Sequence, residues 1–341
     1  MTDWQSAIKF LGGSEEKENA LIAEMAKEVR EIVESLRDSN GGVRGRAQHA
    51  RASAGIKNAE FRVLPGIPED LRVGFLKPDA SYRAVLRFSN ASGLINRADS
   101  EKDLRGVAIK LNPPEGDEHD FLMTNAEEHH ARDAFEAMAT SVAFSTDGAL
   151  RQLIDADDAR IQKLVQTLDG FRELARRVGK IDATLIILRL SRQMKTPVES
   201  LATETYWSRA PLRIGGVVVK YLLRPATQKV TPEESEKNLG DELKRRLERG
   251  EVRFNFEVQR YVDEDDTPLE DARKRWKSRP ERIAELVIPR QTLADDKVFF
   301  ESLEFTPWHV NTGDFQPIGS MNRARRLVYP SAVSARKQGS A

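Results

Sequence analysis

The sequence predicts an α+β fold, a closed antiparallel β-barrel interrupted by helical insertions. Three observations lead there. Stretches spread along the 341 residues alternate apolar and polar side chains with period two. Longer stretches between them repeat their apolar residues at helical spacing. Turn-rich segments such as PGIPED, KPDA and NPPEGDEHD punctuate the strands. No internal repeat is present.

In chain order, SEEKENALIAEMAKEVREIVESLRDSNGG reads as an amphipathic helix. Leu21, Ile22, Met25, Val29, Ile32, Val33 and Leu36 form its apolar stripe, Ser14 caps it, and Gly41 and Gly42 stop it. Residues 1–42 are therefore expected as a helical arm, 43–336 as the barrel domain and 337–341 as a flexible tail. EFRVL, YRAVLRFSNA and GVAIKLN read as strands. Residues 127–182 return to a helical pattern, clearest in ALRQLIDADDARIQKLVQTLDGFRELARRVG. Strand signals resume in IGGVVVKYLLRP and VRFNFEVQRYV, where Val252, Phe254, Phe256 and Val258 oppose Arg253, Asn255, Glu257 and Gln259. TPEESEKNLGDELKRRLERGE between them suits a helix or helical hairpin. KVFFESLEFTPW is expected as the last strand. A short helix carrying Arg325 and Tyr329 follows, expected to end at Tyr329 because Pro330 disfavours helical geometry in the residue before it.

Composition excludes several classes. Lys plus Arg equals Asp plus Glu at 54 each, so no net field draws the chain to nucleic acid or membrane. Cysteine is absent, which removes disulfides, thiolate nucleophiles, zinc ribbons, iron–sulfur clusters and thiolate-ligated haem. MTDWQSAIKFLGG lacks a signal region, and no stretch approaches the ~18 apolar residues of a membrane span, so a cytoplasmic protein is expected. Charged residues at 32% and aromatics at 7% fit an ordered globular chain.

Several motifs fall short of a site. Glu127 and His130 form one Glu-x-x-His pair, but a di-iron bundle needs two. DEDDTPLED lacks calcium-loop spacing, and GGVRGR lacks the Lys-Ser/Thr of a phosphate loop. No nucleophile elbow or dinucleotide fingerprint occurs. An unusual set remains. RAQHARAS places His49 three residues after Arg46; LRFSNASG puts Arg87 and Ser89 on one strand face; DFLMTN ends in Asn125. In RRLVYP, Arg325 and Tyr329 lie one helical turn apart. That pair suits an Arg–Tyr stacking contact or, with the cation favouring a phenolate, ligation of a hard metal ion.

Taken together, these segments resemble the haem catalase family. RAQHAR is similar to its distal-histidine segment, LRFSNASG to its Arg-Phe-Ser strand, DLRGVAIKL to the strand after it and DFLMTN to the segment of its distal asparagine. RRLVYP with Arg336 is similar to its proximal Arg-x-x-x-Tyr-Pro helix. The resemblance implies a catalase-like barrel with a proximal haem-binding helix and a haem b cofactor whose iron is ligated by Tyr329, supported by Arg325. It implies Arg46, Arg87 and Arg336 on the haem propionates, His49 as acid–base residue oriented by Ser89, and Asn125 holding peroxide. The implied activity is cleavage of hydrogen peroxide or organic hydroperoxides through a ferryl intermediate, as peroxidase or catalase, with an organic reductant as a partner of the former. Isomerisation of a fatty-acid hydroperoxide, with TLIILRL or the 150–200 helices lining a lipid pocket, and a non-catalytic haem-binding or sensing module are the alternatives. Departures from the family are the short chain, which leaves homo-oligomerisation open, Gln48 in place of valine, Ala52 in place of glycine, His129 and His130 at two aromatic positions, and Val333 where a histidine is frequent. These departures resemble the small catalase-related group. Bound NADPH is not expected.

Overall fold

The computed structural model describes residues 3–153, 157–158, 160–161, 165–226 and 238–338. Ten strands form one antiparallel sheet: β1 (Ala52–Val63), β2 (Ser81–Asn90), β3 (Arg105–Leu111), β4 (His119–Thr124), β5 (Tyr206–Trp207), β6 (Leu212–Ile214), β7 (Val217–Pro225), β8 (Val252–Arg260), β9 (Glu281–Ile288) and β10 (Phe315–Pro317). Their order runs β7-β5-β4-β3-β2-β1-β9-β8, and β8 pairs back onto β7, closing an eight-stranded barrel. β6 and β10 extend from β7 as a flap. Closure leaves those eight strands without a free edge.

Period two decides what fills the barrel. Leu86, Phe88, Phe254, Phe256 and Val258 turn inward to one core with Phe61, Phe121 and Tyr221. Phe61 meets Phe256 edge to face at 5.1 Å, and Phe121 lies 4.7 Å from Phe256. An interior filled by such rings has no room for a large ligand, so a site must be built on the outside.

Eight helices cover the barrel among the described residues: α1 (Glu15–Ser39), α2 (Ala134–Thr146), α3 (Gly148–Leu153), α4 (Asp169–Val178), α5 (Lys180–Met194), α6 (Leu239–Arg249), α7 (Lys297–Ser302) and α8 (Ser320–Lys337). Ser14 caps α1 by accepting from the Lys17 N–H, and Asp133 caps α2 through Glu136. The stripe of Ile22, Met25, Val29, Ile32 and Leu36 on α1 packs with Ala134 and Met138 of α2 and with Ala324 and Val328 of α8. The TPEESEK half of the segment before β8 and the last three residues lie outside the described residues.

Two expectations are corrected. KVFFESLEFTPW is no strand: its first half is α7, because the Asp296 carboxylate caps the Phe299 N–H (3.2 Å) and Phe300 anchors the turn in the core. The apolar pair Phe299–Phe300 and the alternation after it mimic a strand. The terminal helix does not stop at Tyr329 but runs on through Pro330 to Lys337. Its buried residues on both sides of the proline, Ala324 and Val328 before and Ser331 and Ala335 after, hold the helical path despite the missing N–H. Tyr329 is thus mid-helix, and the opposing charge of a helix end does not act on it.

Candidate functional site

The site begins where the segment between α1 and β1 crosses β2. His49 and Ala50 donate their backbone N–H groups to the carbonyls of Ala91 and Ser92, each at 3.0 Å. His49 takes a left-handed backbone, φ 55°. Because Leu86 and Phe88 face the barrel core, Arg87 and Ser89 face this segment. Ser89 Oγ lies 2.9 Å from His49 Nδ1. Arg87 donates to the carbonyls of His49 (2.9 Å) and Ala50 (3.0 Å). On β3, a Cβ placed on Gly106 would fall 2.6 Å from His49 Cε1, so the imidazole rests on that glycine. Burial, and then the cations Arg87, Arg209, Arg325 and Arg46, push the His49 pKa down to about 3. The ring is neutral at physiological pH.

Beside it, Arg46 and Arg87 converge on one carboxylate. Arg46 pairs with Glu301 through Nη1, and its Nη2 donates to the carbonyls of Glu301 (3.1 Å) and Leu303 (2.7 Å). Arg87 Nη2 reaches both Glu301 oxygens, at 3.0 and 3.2 Å. Burial, followed by repulsion from Arg87, lowers the Arg46 pKa to about 9, with Arg336 adding to the repulsion. Among the described residues Glu301 is the one carboxylate paired with Arg46 or Arg87, and none pairs with Arg336. Arg46 and Arg87 share one negative charge, and Arg336, whose charge acts on both, has no carboxylate partner among the described residues, so two positive charges are in excess. Arg87 Nε is buried without a partner.

On α8 the Arg325 guanidinium sits 5.9 Å from the centre of the Tyr329 ring and donates to Asn322 Oδ1 at 3.1 Å. Tyr329 is half-buried in the apolar cluster that also takes in Ala47, two residues before His49. Asn125, just past β4, accepts from the Arg105 N–H (2.8 Å) and donates to Glu204 (3.0 Å). An amide nitrogen carries two hydrogens, so one remains for another acceptor. Gln48 is exposed and donates to Ser141 of α2 at 2.9 Å. The rings of His129 and His130 lie tilted at 33° with centres 4.2 Å apart, and burial followed by the charge of Arg209 lowers both pKa values.

The structure therefore gathers His49, Ser89, Arg46 and Arg87, with the charges of Arg325 and Arg336 acting on members of the group. Asn125 is held by partners outside that group. Sequence reasoning missed Glu301, Gly106 and Arg209. Arg209 is 7% exposed, with Nε and Nη2 unpartnered. Glu301 lies in a stretch that reads as a strand, and nothing local marks Gly106, whose role depends on β2–β3 pairing. Glu118, Asp120 and His309 cluster elsewhere, but Lys110 Nζ already lies 2.8 and 2.9 Å from the two carboxylates.

No family model matches the chain, and no curated protein matches it. Solved structures do. A fungal catalase superposes with TM-score 0.60 at 18% identity, over 89% of this chain and 62% of that one. A bacterial catalase gives 0.59 at 15%, over 90% and 60%. Catalase A of Saccharomyces cerevisiae gives 0.58 at 15%, over 89% and 63%. The chain has a catalase-like fold and spans about three fifths of the length of these catalases.

Proposed function

We propose that this chain is a haem-dependent oxidoreductase that cleaves hydrogen peroxide or organic hydroperoxides. Two features of the residues fit haem b. The two uncompensated charges at Arg46, Arg87 and Arg336, with the buried unpartnered Nε of Arg87, suit a ligand bearing two carboxylates. Tyr329, with the Arg325 guanidinium 5.9 Å from its ring centre, offers a phenol oxygen, a hard donor of the kind that suits a ferric ion. Catalases hold haem iron through a tyrosine, and by that resemblance Tyr329 would hold it here. When bound, ferric haem supplies the redox centre at which a peroxide bond is split.

The chain's own residues manage the proton. A neutral His49 can accept one from peroxide at Nε2, provided Nδ1 carries hydrogen and Ser89 Oγ accepts it. The same ring then returns that proton to the departing oxygen. Gly106 leaves space for the ring, and Arg87 fixes the backbone carbonyl from which it hangs. Asn125 can donate its free amide hydrogen to the peroxide. Gln48 points to α2, which leaves the approach to His49 to other residues.

For the lipid-pocket alternative, Leu185 of TLIILRL is exposed and the other apolar residues of that stretch are packed away. Ile186, Ile187 and Leu188 are buried in packing between helices and Leu190 packs on Leu104 and Ala126. The observation that carries the reading is His49, bonded to Ser89 and held by Arg87, beside an arginine cluster with two charges to spare. The test is an absorption spectrum of the hemin-loaded protein before and after peroxide, with turnover measured on hydrogen peroxide, cumene hydroperoxide and a fatty-acid hydroperoxide. A shifted Soret band that responds to peroxide is expected. A spectrum of free hemin, or a ferric spectrum inert to all three, refutes the reading.

A further inference from the structure

α7 is docked as a unit on β1. A Cβ on Gly55 would fall 2.3 to 2.4 Å from atoms of the Phe300 ring, so the ring occupies the notch that this glycine leaves. One turn earlier, Lys57 pairs with Asp296 and lies over the Phe299 ring at 4.1 Å. With the helix fixed at both points, the next residue, Glu301, meets three groups at once. Its carboxylate takes Arg46, takes Arg87 through both oxygens, and accepts from the Ala52 N–H at 3.3 Å.

These bonds draw on both terminal nitrogens of each guanidinium. Arg87 spends Nη1 on the His49 carbonyl and Nη2 on Ala50 and Glu301, while its Nε stays buried and unpartnered. A guanidinium carries five N–H donors, so Nε–H and the second Nη1 hydrogen of each arginine remain for an incoming anion. Glu301 is the one carboxylate among the described residues that offsets the repulsion between Arg46 and Arg87, to which Arg336 adds. Resting on the haem reading above, we infer that Glu301 is a positioning residue: it holds Arg46 and Arg87 from behind so that their remaining donors meet the cofactor's carboxylates. Arg87 also bonds the His49 carbonyl, so the same clamp ties the carboxylate anchor to the placement of the histidine.

The experiment compares hemin with hemin dimethyl ester, which lacks the two charges, by Soret titration of the full chain. Wild type, Glu301→Gln, Glu301→Asp and Glu304→Gln are titrated. Glu304 pairs with Lys337 at 2.5 Å, so its variant removes an equal charge from a neighbouring position. Wild type is expected to prefer hemin over the ester. Glu301→Gln should bind hemin about ten- to a hundredfold more weakly with the ester little changed, as for a lost charge-assisted bond. Glu301→Asp, charged but shorter, should fall between, and it keeps the test open should the glutamine variant not fold. Glu304→Gln should match wild type. Glu301 variants that bind hemin as wild type does, or more tightly, or that lose hemin and ester equally, overturn the inference while the haem reading stands. Wild type that binds neither porphyrin overturns both.

Discussion

Ser89 Oγ lies 2.9 Å from His49 Nδ1, and the two residues come from segments forty positions apart. The contact exists because β2 turns Ser89 away from the barrel core toward a histidine in a left-handed turn. Gly106, paired with Ser89 across β2 and β3, completes the seat.

That seat predicts a graded pair of variants. Gly106→Ala puts a methyl 2.6 Å from His49 Cε1 and must displace the ring. Peroxide turnover should fall by about a hundredfold, the scale of a misplaced catalytic group. Ser89→Ala removes only the orienting hydrogen bond and should cost about five- to tenfold. Both should retain hemin, because neither touches Tyr329 or the arginine cluster. Soret titration with initial rates on one peroxide checks the pair. Equal losses in hemin affinity and turnover would place Gly106 outside the catalytic region.

Acid should unfold the protein early. Burial pushes His49, His119 and His130 down to about 3, and His129 well below its ordinary value. A group whose folded pKa is depressed stabilises fully above its unfolded pKa, near ~6.5 for histidine, and loses that contribution as pH falls toward the folded value. Between pH 6.5 and 3 each such histidine takes up a proton on unfolding, which lowers stability by about 1.4 kcal/mol per pH unit. Asp103, raised by burial to about 6, acts in the opposite sense: it stabilises below its unfolded pKa and loses that as pH rises through 6. Glu127 and Glu204, raised by burial, and His309, raised by its bond to Asp120, act in the same sense as Asp103, while the four depressed histidines titrate over the wider range. Urea midpoints measured from pH 7.5 to 4.5 should decline steadily, and His119→Gln should flatten the slope by about one proton. A midpoint that holds level to pH 4.5 would contradict this.

The barrel strands are legible in the sequence because their inward positions are apolar and their outward ones polar, as in Val252 to Gln259. Elements buried on both faces or anchored from afar are not. Phe299 and Phe300 read as strand residues until Gly55, some 245 positions earlier, supplies the notch that fixes their helix. The candidate residues His49, Ser89, Arg46 and Arg87 are visible through a resemblance between short segments, and the structure brings these four together. Glu301 is invisible: a lone glutamate acquires meaning only when two distant arginines meet it. Pro330 misleads for a physical reason. Its local preference is real, but packing of α8 on α1 and α2 overrides it.

Pro330 therefore predicts a separation of stability from function. Pro330→Ala restores a backbone donor for the Arg326 carbonyl, and an interior proline costs a helix up to about 3 kcal/mol. The melting temperature should rise. Tyr329 sits beside the proline, so restoring that backbone bond should alter the ferric spectrum of the hemin-loaded protein. A rise in stability with an unchanged spectrum would show that Tyr329 does not sense its neighbour.

The two faces of the proposed site should fail in different ways. Tyr329→Phe keeps the ring that packs with Ala47 and Val328 but deletes the oxygen, so the fold should persist. Hemin should then bind weakly or with an altered ferric spectrum, because the hard anionic donor is gone. His49→Ala leaves the phenol and the arginine cluster in place and removes a neutral base beside that cluster. It should load hemin normally yet lose peroxide cleavage by about two to four orders of magnitude. The decisive comparison is cofactor content against turnover in the two variants, with circular dichroism to confirm folding. Normal turnover in His49→Ala would remove the histidine from the mechanism, and a wild-type spectrum in Tyr329→Phe would remove the tyrosine from the iron.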